Sequence, residues 1–117
     1  MAKTIFIDID GTIFKHHGET GLHVIYKAPA EILDNVIEKF EQWKYDENRI
    51  ILTTARPESM RDITVQQLQE FGLFWDDMIM GLPRGERVII NDTKGDGTIT
   101  AVGVPVVRNA GLKDVEL

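Results

Sequence analysis

Apolar positions along this chain switch between strand-like runs and helical spacing. Thr4-Ile5-Phe6-Ile7-Asp8-Ile9 is a short β-branched run that stops at an acid and a glycine, which predicts a buried parallel strand. The stretch 12–27 is irregular and holds Gly18 and Gly21, which predicts a short flap or hairpin after that strand. Pro29 opens a helical pattern in which Ile32, Leu33, Val36, Ile37, Phe40 and Trp43 share one face. Arg49–Thr53 predicts a second buried strand. Pro57 starts a second helix with the apolar face Met60, Ile63, Leu68 and Phe71, and Gly72 is its expected C-cap. Residues 78–80, 88–90 and 104–107 predict three more short strands.

Strands that alternate with helices predict an α/β fold with a Rossmann-like, doubly wound parallel sheet. Such sheets bind ligands beyond the carboxyl ends of their strands. Three polar clusters stand at those ends: Asp8-Ile9-Asp10-Gly11-Thr12, Thr53-Thr54-Ala55-Arg56 and Asn91-Asp92-Thr93-Lys94. No other edge of the expected sheet collects comparable chemistry.

A chain of 117 residues fits a single domain, 1–117, large enough for a core without disulfides. The absence of cysteine excludes thiolate metal sites and cysteine nucleophiles. A formal net charge of −6 disfavours nucleic acid as a partner, because polyanion binding depends on Lys and Arg. No apolar run approaches the roughly 20 residues that span a bilayer, and the first residues lack a signal-peptide pattern, so no membrane partner and a cytoplasmic location are expected.

Each cluster has a plain reading and a chemical one. Asp8 and Asp10, two apart on an extended segment, lie on the same side, where a cation or proton must relieve their repulsion. They read as a metal-bound nucleophile with a neighbouring acid/base, or as a solvated acidic turn. Thr53, Thr54 and Arg56 precede a helix start whose free N–H groups suit phosphate oxygens; ordinary threonine capping is the alternative. Asn91-Asp92 offers hard oxygen ligands suited to Mg²⁺, or a turn pair. The three in this order, each at a strand end, favour the chemical reading.

With those residues in view, the sequence resembles the haloacid dehalogenase superfamily of phosphohydrolases. Asp8-Ile9-Asp10-Gly11-Thr12 is similar to its first motif, Leu52-Thr53-Thr54-Ala55-Arg56-Pro57 to its second, and Asn91-Asp92 to its fourth. The lack of a long insert resembles the capless type, and the short capsule- and polysaccharide-biosynthesis phosphatase-like proteins in particular. The resemblance implies that Asp8 attacks phosphorus and forms an aspartyl-phosphate, while Asp10 protonates the leaving oxygen and then activates water. It implies Mg²⁺ held by Asp8, Asp10 and Asp92, with Asn91 beside it. Thr54 and the neighbourhood of Gly11, Thr12, Thr53 and Ala55 would hold the phosphoryl oxygens, with Arg56 contributing at the phosphate. The expected substrate is a small phosphorylated metabolite such as a sugar phosphate. Phosphotransferase or mutase chemistry, and a non-catalytic Mg²⁺/phosphate-binding module, are the competing functions.

The sequence departs from the family at the third motif, where a Lys or Arg is usual and Leu82 stands in Gly81-Leu82-Pro83. Arg84, flanked by turn-forming Pro83 and Gly85, is the preferred substitute; Lys94 is the reserve, and Arg87 is expected to be remote. His16 and His17 read as loop histidines with a lesser prospect of touching substrate. Phe74 and Trp75 read as cover for the sheet edge, though the pair could also serve a homo-oligomer.

Overall fold

The computed structural model describes residues 2–18, 25 and 29–117. The expected flap at 12–27 therefore falls partly outside the described residues. Strand β1 (Thr4–Asp8) is followed by helix α1 (Val36–Tyr45) and strand β2 (Arg49–Thr53). A single 3₁₀ turn (Glu58–Met60) then leads into helix α2 (Arg61–Glu70) and strand β3 (Asp77–Ile79).

The strands form a parallel sheet in the order β1-β2-β3, with Asp8, Thr53 and Ile79 aligned in one row across it. Parallel crossovers are right-handed. Two successive steps in the same direction therefore put both helices on the same face. Their buried residues Val36, Phe40, Trp43, Met60 and Leu68 join Ile5, Ile7, Ile50, Leu52 and Met78 in one core. The opposite face carries Phe6 at 52% exposure and Ile79 at 42%. Among the described residues both helices pack on one face, Ile51 on the other face is buried as well, and the doubly wound arrangement expected from the sequence is not confirmed.

The difference lies in the missing fourth and fifth strands. Residues 88–90 and 104–107 have strand-like sequences, yet they join no ladder; 88–90 stay exposed, with Ile90 94% exposed, and of 104–107 Val106 alone packs partly against the core. Propensity marks a segment able to pair; the ladder itself needs a partner edge and a packed face. The first helix also starts later than Pro29. Phe14 pairs with Ile32 in an antiparallel bridge, and Leu33 N–H donates to Ile13 C=O at 2.9 Å, which draws this stretch out of helical geometry. Gly72 caps α2 as expected, with φ 68° and its N–H on Gln69 C=O.

The C-terminal end returns to the core. Leu112 is buried and donates its N–H to Asp34 C=O at 2.9 Å, and Lys39 Nζ donates to Val115 C=O at 2.7 Å. Gly111 has φ 85°, and its missing side chain leaves room for the Asp34 backbone. Gly111→Ala is therefore expected to destabilise the fold by about 2 kcal/mol or more, from left-handed strain and a backbone collision together. Urea unfolding measures this, and a loss below about 0.5 kcal/mol would mean the turn opens at no cost.

Candidate active site

Asp8 ends β1, and the chain then wraps around the Ile9 carbonyl. That oxygen accepts the N–H groups of Thr12, Ile13 and Phe14 at 3.2, 2.8 and 3.1 Å, while Gly11 N–H donates to Phe14 C=O at 2.7 Å. Ile9, Ile13 and Phe14 are buried and anchor this loop, and Gly11 takes φ 95°, which suits glycine. The loop holds Asp8 and Asp10 at the carboxyl end of the sheet, beside Thr53 and Thr54.

Arg56 organises the site. Its Nε and one terminal nitrogen grip both Asp10 oxygens at 2.8 and 2.7 Å. The other terminal nitrogen donates to Thr64 Oγ1 at 3.0 Å and Gln67 Oε1 at 2.7 Å. Four of its five N–H groups are used inside the protein. The arginine side chain is 4% exposed and that of Asp10 27%, so this is a largely buried, bidentate pair. Its guanidinium also lies 6.0 Å from the Phe14 ring centre. Gln67 in turn donates to Ile25 C=O at 3.0 Å.

The sequence reading gave Arg56 to the phosphate; the structure turns it to Asp10. Thr64 and Gln67 escaped that reading although a signal was present. They occupy the buried stripe of α2 with Met60, Leu68 and Phe71, and polar residues on such a stripe need a buried partner.

Asp8 differs from Asp10. Among the described residues only the Ile9 amide donates to its carboxylate, and no ion pair reaches it. Burial pushes its carboxyl above the usual range; the Ile9 hydrogen bond, the charge of Arg87 and the charge of His16 pull the other way, and Asp10 pushes up. Arg87 is a candidate third-motif cation whose charge acts on Asp8. Arg87 is fixed by donating to Pro83 C=O at 3.0 Å and Gly85 C=O at 2.7 Å. Arg84 is exposed and forms no ion pair among the described residues.

The backbone groups divide similarly. The amides of Gly11, Thr12, Thr54 and Arg56 are spent within the loops, on Phe14 C=O, Ile9 C=O, Ile79 C=O and Thr54 Oγ1. The amides of Asp10 and Ala55 make no hydrogen bond among the described residues. Thr54 Oγ1 accepts from Arg56, so its own proton remains available to an incoming oxygen.

The third cluster stands apart from the other two. Asn91 donates to Thr100 Oγ1 at 2.6 Å, and Thr100 in turn donates to Asp92 C=O. Lys94 N–H donates to Thr98 C=O at 3.0 Å, which closes an exposed turn. Among the described residues no three His, Cys, Asp or Glu side chains converge, so Asp92 and Asn91 do not complete a metal site with Asp8 and Asp10. The expected contribution of Asp92 needed a fourth strand beside β1, and 88–90 forms none.

No protein-family model matches this chain, and no curated protein does. A solved structure from Vibrio cholerae matches 92% of it, and 85% of its own length, at TM-score 0.54 and 17% identity. That likeness is one of fold. A D,D-heptose bisphosphate phosphatase from B. bronchiseptica, solved with magnesium and phosphate, matches 67% of the chain at 16% identity and TM-score 0.47. The chain spans 49% of that phosphatase. Asp8 ends the first strand and Thr53 the second, and Asp10 and Thr54 follow directly in the loops beyond them.

Two stability outcomes follow. Arg56→Met should cost about 3 kcal/mol, because it strands Asp10, Thr64 and Gln67 without their partner. A loss under about 1 kcal/mol by denaturant titration would show the pair to be incidental. Asp8→Asn should act oppositely. The folded Asp8 carboxyl is raised, so its contribution is intact below the unfolded carboxylate range and declines as pH rises through the folded value. In chelator-treated protein at neutral pH the asparagine variant should be the more stable, with the gap closing in acid. A parent more stable than the variant at neutral pH would contradict that sign.

Proposed function

We propose that this chain is a phosphomonoester hydrolase that works through Asp8. The observation that carries the reading is the contrast between two acids two residues apart. Asp10 is locked in a bidentate pair, and Asp8 is half-buried with no ion-pair partner among the described residues. A carboxylate left without an ion-pair partner at the carboxyl end of a parallel sheet is placed to attack.

Asp8 attacks phosphorus, the bond to the leaving oxygen breaks, and an aspartyl-phosphate forms. Asp10 gives the leaving oxygen its proton, then takes one from the water that releases phosphate. Each Asp10 oxygen keeps a lone pair beyond its contact with Arg56, so the pair orients the acid/base without occupying it fully. The Thr54 hydroxyl and the Asp10 and Ala55 amides donate to the phosphoryl oxygens. Arg87 supplies the cation that the third motif lacks; this replaces the preference for Arg84 and the reserve choice of Lys94.

The motif resemblance implies Mg²⁺, and the donors present fit one that relies on water. Magnesium is commonly held by one or two carboxylates, with waters and substrate oxygens filling the rest. The Asp8 carboxylate and the Asp10 main-chain carbonyl would hold it. When bound it supplies charge neutralisation between an anionic nucleophile and an anionic phosphate. The substrate is a small phosphorylated metabolite such as a sugar phosphate, in keeping with a net charge of −6 that opposes polyanions. Among the described residues no helix is long and apolar enough to cross a membrane. A second reading, a non-catalytic phosphate-binding module, draws on the absence of three converging acids among the described residues.

The test is hydrolysis of an aryl phosphate with and without Mg²⁺. Turnover should require the metal, and Asp8→Asn should lose about a thousandfold or more. Retained activity in that variant would end the covalent mechanism, and an inactive parent that still binds phosphate would favour the binding module. Arg87→Ala should lower kcat/KM about a hundredfold, the scale of one charged transition-state contact. If Arg84→Ala falls that far while Arg87→Ala stays within threefold, the cation has been misassigned.

A further inference from the structure

The turn Arg108-Asn109-Ala110-Gly111-Leu112 has no part in the chemistry above, yet it is fastened to the loop that carries Asp8 and Asp10. Asn109 N–H donates to Gly11 C=O at 2.9 Å. The Asn109 side chain accepts His16 N–H at 2.7 Å and donates to His16 C=O at 3.0 Å, a two-bond clamp between residues 93 apart in sequence. Asn109 adopts φ 65°, a left-handed conformation that asparagine tolerates better than most residues. Behind it, Gly111 lies against the Asp34 backbone and Leu112 is buried, so the turn is held from both sides.

This fastening sets two basic residues beside Gly11. Measured from where a Gly11 side chain would begin, Arg108 Cγ is 3.2 Å away and His16 Cβ 3.6 Å. Gly11 directly follows Asp10. Arg108 is exposed, and its guanidinium has no hydrogen bond or ion pair among the described residues. His16 is half-buried, and its Nδ1 accepts the Gly18 N–H at 2.9 Å, so a neutral ring carries its proton on Nε2. Acidic residues outnumber basic ones 19 to 13 in this chain. An arginine without a carboxylate partner is conspicuous in such a chain, and here the nearby Asp10 is already bound by Arg56.

We propose that Arg108 and His16 form a second anion subsite beside the Asp8 centre, and that the substrate is a phosphomonoester carrying a further carboxylate or phosphate on its leaving portion. The inference rests on the Asp8 loop being the phosphoryl site. The guanidinium fork matches either anion with two parallel hydrogen bonds. The Nε2–H of His16 adds a third donor. Asn109 is a positioning residue: it touches no substrate and fixes both His16 and the turn that bears Arg108.

The experiment uses phenyl phosphate, 4-carboxyphenyl phosphate and 1,4-phenylene bisphosphate as probes, with binding to Asp8→Asn protein measured by calorimetry in Mg²⁺. At least one doubly anionic probe should bind about tenfold tighter than phenyl phosphate, the worth of one charge-assisted contact. Which one does so separates a carboxylate from a phosphate. Adding Arg108→Gln should bring the three within about twofold of one another, Arg108→Lys should restore part of the difference, and Asn109→Ala should shrink it with Arg108 intact. Equal binding of all three probes, or a preference that survives Arg108→Gln, overturns the proposal. If the parent hydrolyses none of them while the Arg108-dependent preference persists, the subsite stands and the hydrolase reading fails.

Discussion

The rest of this structure depends on one buried guanidinium. Arg56 follows β2, but its hydrogen bonds end on the loop after β1 and on the inner face of α2. Taking an arginine out of water is costly, and the cost is met only when its donors find well-placed partners. Here Asp10, Thr64 and Gln67 supply them, and no buried side-chain polar atom among the described residues lacks a partner. Each partner is therefore constrained by the others. The pitch of α2 against the sheet, the course of the catalytic loop and the direction of Asp10 form one solution to a single desolvation problem.

That solution explains why two neighbouring aspartates take different parts. A pair of like charges two residues apart would resist folding unless something separated their environments. Arg56 takes both oxygens of Asp10, while among the described residues Asp8 has the amide of Ile9 and the charges of Arg87 and His16. A charge that burial disfavours, with no fixed partner, is available to an electrophile or a cation. Paired acids with divergent surroundings are a general route to divided catalytic roles.

The sequence was most informative where local pattern and burial agree. The runs at Thr4–Asp8 and Arg49–Thr53 became paired strands, Gly72 became a helix cap, and the acids after the first strand sit at the sheet's carboxyl end. It was least informative where a residue's role depends on a distant partner. Thr64 and Gln67 look like ordinary polar helix residues until Arg56 is placed behind them. Arg87 precedes a run that reads as a strand, and that reading made it remote from Asp8. Once residues 88–90 form no strand, the reason for its remoteness disappears. Asn109 gives no local sign that it clamps a loop 93 residues earlier.

The exposed segment between β3 and the final turn is constrained chiefly at its two ends, and both ends are tied to the site. Gly81 N–H donates to Arg56 C=O at 2.8 Å and Leu82 N–H to Thr54 C=O at 3.1 Å. At the far end, Asn109 N–H donates to Gly11 C=O. One end is thus fixed to the loop after β2, and the other to the loop after β1. Those loops carry Thr54, Arg56, Asp8 and Asp10, so the segment must pass close to the site at both its beginning and its end. Arg87 lies five residues beyond the Leu82 anchor, within roughly 17 Å of extended chain. Arg108 lies one residue before the Asn109 anchor. The middle of the segment, with Asn91 and Asp92, has about twice that reach, and both residues are hydrogen-bonded to Thr100. Anchorage rather than local sequence type thus favours the residues next to the two ends, Arg87 and Arg108 among them, as those kept near the loops that carry Asp8 and Thr54.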